Sequence, residues 1–492
     1  MIAGVATCLA IALAVGGMAF NLGGTGQIAS VAVLPFENST GDSSIDYLSN
    51  GISEGLINKL SSLNGVRVIS RSSSFSFKGK EMDAIAIGRK LGVDAIILGS
   101  LAQRGTSLAI RAELVRVANQ SQIWGEKYDR LADDVLKIEA EMATTIAATI
   151  TKTLRRTLSE DEKTKLTRAS TDNPEAYRLY LKGHDFRVGS QREMDKSIDY
   201  FQQAIAVAPN YALAHAGLAQ AYAQYAFLRA AGRAETAEKA RAAVDRALAL
   251  DPDLAEAHNA LGTIRFYLDW DWSGAEIEFK RALALNASSA TIRGDYGYFL
   301  TVAGHLDAGL AQLEAAVKLD PHAVRPLHDL GINAWARDDL DLAAARFRRA
   351  LEIEPKWAWG YIKLSRVLAL QKKCPAALVQ AQKGEAIIAD GAAPLARAWI
   401  GATYGTCGDV TRARQKLAEL QALEKKQYLD PATFADIHAS LGELDQAFEY
   451  FEKAIADRTP NMVHARFHTK VVPALATSPR YKALIERLAF PK

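Results

Sequence analysis

Hydrophobic and polar positions fall into three regimes along the chain. From Ile2 to Leu22 there is no charge, and only glycines, Thr7 and Asn21 interrupt the apolar run. At 1.5 Å per residue such a helix is about 31 Å long, which matches the hydrocarbon core of a bilayer. The pattern predicts a transmembrane helix over 1–23. A signal peptide is the alternative, with Gly17-Met18-Ala19 as a small-residue cleavage site, but the basic residues that normally precede such a region are missing. No Lys or Arg occurs before Lys59, so flanking charge gives the span no orientation. A chain that opens inside its own span is expected to lack an upstream part. Gly23-Gly24-Thr25-Gly26 then reads as a flexible linker.

The second regime, over 28–158, alternates with period two and then with helical period. Strands are expected over 28–34, 66–69, 95–101, 108–117 and 123–128. Helices are expected over 46–63, over 84–91 with Asp83 as its cap, and over 132–158, where Val135, Ile138, Met142, Ile146 and Ile150 share a face. The expectation is a small α/β domain with Trp124 on its buried side. Its glycine-rich loops fail both phosphate-binding and dinucleotide-binding spacings. Arg71-Ser72-Ser73-Ser74 with Lys78-Gly79-Lys80 offers an anion-binding loop, against which an exposed strand-to-helix loop is the plainer reading. Glu37 and Asp42 are expected to be turn residues.

The third regime repeats about every 34 residues. Pro252, Ala287, Pro321 and Pro355 follow one another at steps of 35, 34 and 34. Leu330-Gly331, Ala334, Ala343, Phe347, Ala350 and Pro355 form one register, and Tyr296-Gly297, Leu300, Gly309, Leu313, Ala316 and Pro321 hold it one unit earlier. Small residues stand where two helices must approach, large apolar ones fill the gap, and proline stops the second helix. That is the tetratricopeptide signature. About eight units are expected over 174–460, the second with an insertion around 229–235 and the third with one added residue near Asp269-Trp270-Asp271-Trp272. A capping region should close the array over 461–492, with Tyr481, Leu484, Ile485 and Leu488 at helical spacing.

Such an array binds along its concave face. Counting from the Leu-Gly pair, the groove positions are Asn259, Phe266, Tyr298, Arg325, His328, Trp335, Trp359 and Arg366. Aromatics beside arginines suit an extended peptide with apolar and acidic side chains. The lysine and asparagine clamp of chaperone-tail-binding repeats is not presented, which disfavours that ligand class.

A net charge of +3 argues for neither nucleic acid nor an anionic membrane surface as partner. Three cysteines exclude a disulfide scaffold. Cys374 and Cys407 fall in equivalent turns of adjacent repeats and are either bonded or two free thiols. His464 and His468 lie four apart, but Ala465 stands where a metalloprotease needs Glu, so no metal and no cofactor are expected.

Across 28–158 the strings Val31-Ala32-Val33-Leu34-Pro35-Phe36, Tyr47-Leu48-Ser49-Asn50-Gly51-Ile52, Ile69-Ser70-Arg71-Ser72-Ser73-Ser74-Phe75, Leu98-Gly99-Ser100 and Ile123-Trp124-Gly125-Glu126-Lys127-Tyr128-Asp129 resemble the TolB-like amino-terminal (FlgO-type) domain placed before tetratricopeptide repeats. The resemblance implies a location outside the bacterial inner membrane, with 28–492 in the periplasm. It also implies an effector upstream of the span, as in CadC-like regulators and repeat-containing adenylate cyclases. The expectation is a non-enzymatic, membrane-anchored scaffold or sensor that holds a peptide or protein in its groove, with the α/β domain as a second docking or oligomerising surface. The alternative is the sensory half of a signalling protein without its effector.

Overall fold

The computed structural model describes residues 26–42, 45–79, 82–167, 170–185, 191–228, 233–388 and 394–491. The expected span over 1–23 lies outside them. No described helix is long and apolar enough to cross a membrane.

The α/β domain runs β1 (Ser30–Val33), β2 (Glu37–Asn38), α1 (Asp46–Leu60), β3 (Arg67–Val68), α2 (Arg71–Phe75), α3 (Ala84–Leu91), β4 (Ala95–Arg104), β5 (Ser107–Arg116), β6 (Gln122–Leu131), α4 (Val135–Thr153) and α5 (Glu160–Thr167). The strands form one sheet in the order β3-β1-β4-β5-β6, with β2 also paired to β4. β1 is parallel to β3 and β4, whereas β5 runs antiparallel to both β4 and β6.

The two halves differ in cover. Every residue of β1 is buried, as a parallel strand between two layers of helix requires. Val31, Val33 and Ile97 join the core beneath α1 and α4, while Ala32, Leu34 and Ile96 pack under α3. Gly88 lets α3 sit this close, since a Cβ there would lie 2.6 Å from Val117 Cγ2. Beyond α3 the antiparallel strands keep one face open, and β5 alternates buried with exposed positions. Glu37, expected in a turn, instead pairs in β2 with Ser100 of β4. Trp124 is half-buried against the α4-side core.

The Arg71–Ser74 segment corrects its expectation of an exposed loop. It forms α2, with Ser73 and Ser74 buried, because the repeat array docks on it. Ser73 donates to Asp320 and accepts from the His322 backbone N–H (2.7 Å), and Phe77 meets the His322 ring edge-on.

Among the described residues the array consists of eight antiparallel helical hairpins. They are Pro174–Asp185 with Gln191–Val207, Ala212–Leu228 with Arg233–Leu250, Ala255–Ile264 with Trp272–Leu285, and Ala290–Ala303 with Leu306–Leu319. Then follow Val324–Ala336 with Leu340–Ile353, Ala358–Leu370 with Cys374–Ile388, Pro394–Thr406 with Val410–Glu424, and Ala432–Ser440 with Leu444–Ala456. Where the Leu-Gly pair carries its glycine, that residue sets the helix spacing. A Cβ on Gly262 or Gly331 would come within 3.0 and 2.6 Å of Phe279 and Phe347 of the same hairpin, and one on Gly217 within 2.7 Å of Phe201 of the hairpin before. In the third hairpin the first helix ends in a π-helical turn, Arg265–Asp269, and Trp270 turns left-handed (φ 55°) before the second helix starts. A π-turn holds one residue more than an α-turn, so it absorbs an insertion without shifting the register. Cys374 and Cys407 form a disulfide (Cα–Cα 5.4 Å) that ties the sixth hairpin to the seventh.

Candidate functional site

In a tetratricopeptide superhelix the first helix of each hairpin lines the inner face, and the eight expected groove residues all lie on the first helices of the third to sixth hairpins, Phe266 in the π-helical turn that ends one of them. Few of them are open. Asn259, Phe266, His328, Trp335 and Arg366 are buried, Tyr298 and Trp359 are half-buried, and Arg325 is exposed. Asn259 and His328 are covered within the array, by Asp295 and by Phe347 and Trp357, whereas Tyr298 and Trp335 are covered by the segment after the eighth hairpin. Its short helices, Pro460–His464, Ala465–Val471, Pro473–Thr477 and Pro479–Glu486, do more than cap the last hairpin. They cross the concavity and lean on the second to fifth hairpins.

The contacts are specific. His464 Nε2 meets the Tyr298 hydroxyl at 2.6 Å, and its ring lies near Phe227 and Tyr267. Phe467 stands edge-on to Trp335. Arg466 donates to the Ala303 carbonyl (2.6 Å), Lys470 pairs with Asp338, and Trp272 donates to the Leu488 carbonyl (3.0 Å) while its ring meets Phe490. The space left between Tyr298, Trp335, Lys363, Arg366, Trp399 and Phe467 is about 20 Å³, room for roughly one water.

Two clusters occupy this inner face. In the first, Asn259 donates to Asp295 (2.9 Å), and Arg325 lies 3.8 Å from Asp295 and 3.7 Å from Asp329. His328 Nδ1 is 3.0 Å from Asp329, and its ring packs on Trp357 and Phe347. Surrounding protein disfavours the Arg325 charge although its side chain stays 46% open at the mouth of the groove, but the two carboxylates outweigh that and hold its pKa above the ordinary value. Burial pulls the His328 pKa down, with the Asp329 hydrogen bond opposing.

In the second cluster Lys363 Nζ sits 3.4 Å from the centre of the Trp399 ring and 5.7 Å from that of Trp335. Arg366 lies 5.2 Å from the Trp399 centroid and 3.7 Å from Asp436. Trp359 meets Trp399 edge-on. Burial, and then the neighbouring Arg366 charge, drive the Lys363 ammonium well below its ordinary pKa. Burial lowers Arg366 as well, against the pull of Asp436. Trp335 Nε1, Arg366 Nε, Asp329 Oδ2 and His328 Nε2 are buried without hydrogen-bond partners. The inner face thus offers edge-to-face indoles, a cation in aromatic surroundings and unmet polar atoms, which is chemistry suited to recognition.

Lys363, Trp399, Asp295, Asp329 and Asp436 were missing from the sequence-derived set. A signal existed for most of them, because Asp295, Asp329, Lys363 and Trp399 each immediately precede the apolar residue of the Leu-Gly pair or its equivalent. The histidines have a structural role at another repeat position. His215 and His258 reach back six residues to the Pro209 and Pro252 carbonyls (3.0 and 2.9 Å), and Arg293 does the same to Ala287 (2.9 Å). The side chain of His468 lies outside the described residues. Among those described, no group of three or more His, Cys, Asp or Glu is placed to hold a metal.

A second concavity lies in the α/β domain, where α3 leaves the sheet uncovered. This cleft is about 1060 Å³, floored by Leu98, Ser100, Arg111, Glu113, Gly125 and Lys127 and walled by the segments around Phe36 and Gly79.

Comparison with known proteins divides along the same line. Residues 27–146 match a family model described as the second domain of HilA/YgeH-like transcriptional regulators, and 432–456 match a tetratricopeptide repeat model. The first match covers most of the stretch on which the TolB-like resemblance was drawn and gives it a different description. A putative adenylate cyclase 3 of Rhizobium meliloti (strain 1021) is 32% identical over 193 residues, 38% of this chain and 32% of the cyclase. The transcriptional regulator HilA of Salmonella typhimurium is 24% identical over 241 residues, 49% of this chain and 42% of HilA. The chain therefore spans less than half the length of either relative. Among solved structures, human IFIT1 covers 65% of this chain and 78% of its own at 16% identity and a TM-score of 0.45, a likeness that carries no conclusion. A segment that matches the HilA-like second-domain model is thus joined to tetratricopeptide repeats in one chain.

Proposed function

We propose that this chain is the sensing half of a signalling protein, and that it recognises a peptide or protein segment on the inner face of its repeats. The Lys363–Trp399–Arg366 cluster carries the reading. A lysine held in aromatic surroundings beside an arginine is costly to the fold, and perturbed groups of this kind concentrate at functional sites. An acidic side chain next to an aromatic one would meet both Lys363 and the indoles. The chain's own Phe467 already takes the aromatic half of that position, so a ligand has to compete with the C-terminal segment.

The relatives support the sensing role over a free-standing scaffold. Related sequence occurs in proteins named as an adenylate cyclase and as a transcriptional regulator, which fits a shared sensory part serving different outputs. The TolB-like, FlgO-type description, the 1–23 membrane helix and a periplasmic location belong to this proposal. The Cys374–Cys407 disulfide supports an oxidising compartment.

The test is photo-crosslinking in cells with a reactive residue at Arg325, at the mouth of the groove, or at Glu352 on the outer face. The expected result is a discrete adduct from position 325 that disappears in a Lys363→Glu background. Equal labelling from 352, or an adduct indifferent to Lys363→Glu, would refute groove recognition.

A further inference from the structure

The sheet ends in β6, ten residues long, with β5 on one side and, among the described residues, no strand on the other. At the end of the β5–β6 ladder the Ala132 N–H donates to the Thr106 carbonyl (2.9 Å), which fixes the phase of the hydrogen bonding. Backbone groups alternate in direction along an antiparallel strand. Arg130, Tyr128 and Glu126 therefore turn theirs toward β5, and Gly125, Lys127, Asp129 and Leu131 turn theirs outward. Side chains alternate as well. Tyr128 is buried on the α4 side, where its hydroxyl donates to Glu126, and Arg130 shares that face. Lys127 and Asp129 stand on the cleft side, 2.7 Å apart and more than half exposed.

An exposed edge this long is a hazard that charged residues usually blunt. The charges on this edge have a further property. Read outward from Tyr128, Lys127 answers Asp129 and Glu126 answers Arg130, so the sequence Glu-Lys-Tyr-Asp-Arg is its own complement when reversed. We infer that β6 pairs antiparallel with β6 of a second copy of this chain, about a two-fold axis at Tyr128. In that register Lys127 opposes the second copy's Asp129 and Glu126 opposes its Arg130, each pair occurring twice. All four pairs are opposite in sign. The outward-facing backbone of Lys127 and Asp129 then forms the hydrogen-bonded pairs.

Neighbouring registers fail. A slip of two residues one way sets Lys127 against Lys127, and the other way sets Asp129 against Asp129. A slip of four brings Glu126 onto Glu126 or Arg130 onto Arg130. Like charges directly opposite are destabilising, so the arrangement selects one register and rejects its neighbours. The axis lies perpendicular to the sheet, so both clefts face the same side and abut across the joined edge.

The experiment is sedimentation equilibrium of the full chain in density-matched non-ionic detergent, chosen because Ile2–Leu22 is uncharged. The native chain should dimerise. Asp129→Lys alone and Lys127→Asp alone should each weaken the dimer by about tenfold or more, since each puts like charges in contact twice. The double variant Lys127→Asp/Asp129→Lys should restore it, with circular dichroism showing all four proteins equally folded. A native chain monomeric up to about 100 μM, a dimer indifferent to the single reversals, or a double variant as weak as the singles would each overturn the inference.

Discussion

The outer face of the sheet and the inner face of the repeats are both concave and both mix cations with carboxylates, yet they end in opposite states. The first leaves a cleft of about 1060 Å³, whereas between Trp335 and Trp399 on the second the space left is about 20 Å³. In the sheet the missing cover is local. α3 is eight residues long and covers the parallel strands and only the end of β5, at Val115, so the rest of the antiparallel half stays uncovered among the described residues. In the repeats the cover arrives from far along the chain. Phe467 reaches Trp335 and His464 reaches Tyr298 across more than 130 residues. A concave surface stays open or closes according to what the rest of the chain has to lay on it, and superhelical curvature alone does not decide.

The sharpest way to break the comparison is to remove a charge from each face. Asp436 and Arg366 are buried partners, each about 4% exposed. Asp436→Ala leaves the arginine buried with its ion-pair partner gone and should cost about 3–5 kcal/mol. Glu113→Ala on the open sheet face should cost less than about 0.5 kcal/mol. Urea unfolding of both variants checks the contrast, and equal losses would mean that the inner face is wetter than its geometry implies.

The disulfide gives the next largest effect. It closes a separation of 33 residues, for which chain entropy predicts about 3–4 kcal/mol. Stability in a repeat array is nearest-neighbour in character, so the loss in Cys374→Ser/Cys407→Ser should be regional. Hydrogen exchange should rise in the sixth and seventh hairpins and stay unchanged in the sheet.

Glu139 sits where the α/β domain meets the first hairpin, buried and accepting a hydrogen bond from the Tyr177 hydroxyl (2.6 Å). Burial is the main cause that raises its pKa to about 7, against Lys59 and Tyr177, which pull it down. The folded protein thus binds more protons than the unfolded chain between about pH 4.5 and 7. Stability must fall as pH rises through that window and level off above it. The contribution lost is roughly 2–4 kcal/mol. Glu139→Gln should flatten the profile and be the more stable form at pH 8. A profile unchanged by the substitution would place the titration elsewhere.

These tests also separate what was legible in the sequence from what was not. The Leu-Gly register gave the helix contacts because packing of Gly331 on Phe347 is set by neighbours a few residues away. The α3 helix, with its Asp83 cap, was legible for the same reason. α2 was hidden, since Ser72, Ser73 and Ser74 carry a loop's composition and become helix only where Asp320 and His322 dock on them. The groove positions were half legible. Repeat counting gives Trp335 and Arg366 but not Lys363 and Asp329, which stand immediately before the apolar residue of the pair. The closure by Phe467 had no local signature at all. Helical spacing at Tyr481, Leu484 and Leu488 marks a cap, and says nothing about how far the cap reaches.

The smallest effect bears on the open side. Asp83 accepts a hydrogen bond from the Ala86 N–H (3.1 Å) at the start of α3, and Gly92 ends the helix left-handed at φ 64°. The helix is short, so each terminal bond is a sizeable share of its local stability, and loss of an aspartate cap typically costs about 1 kcal/mol. Asp83→Ala should therefore raise hydrogen exchange in α3 by about fivefold, since 1.4 kcal/mol corresponds to tenfold. The repeats should exchange as before, because no contact with them passes through this cap. If exchange rose in the repeats as well, the cleft wall and the closed inner face would be one cooperative unit, and their contrast would reflect packing density alone. If α3 alone responds, the open face is bounded by an element that yields independently, as a wall that adjusts to what enters the cleft must do.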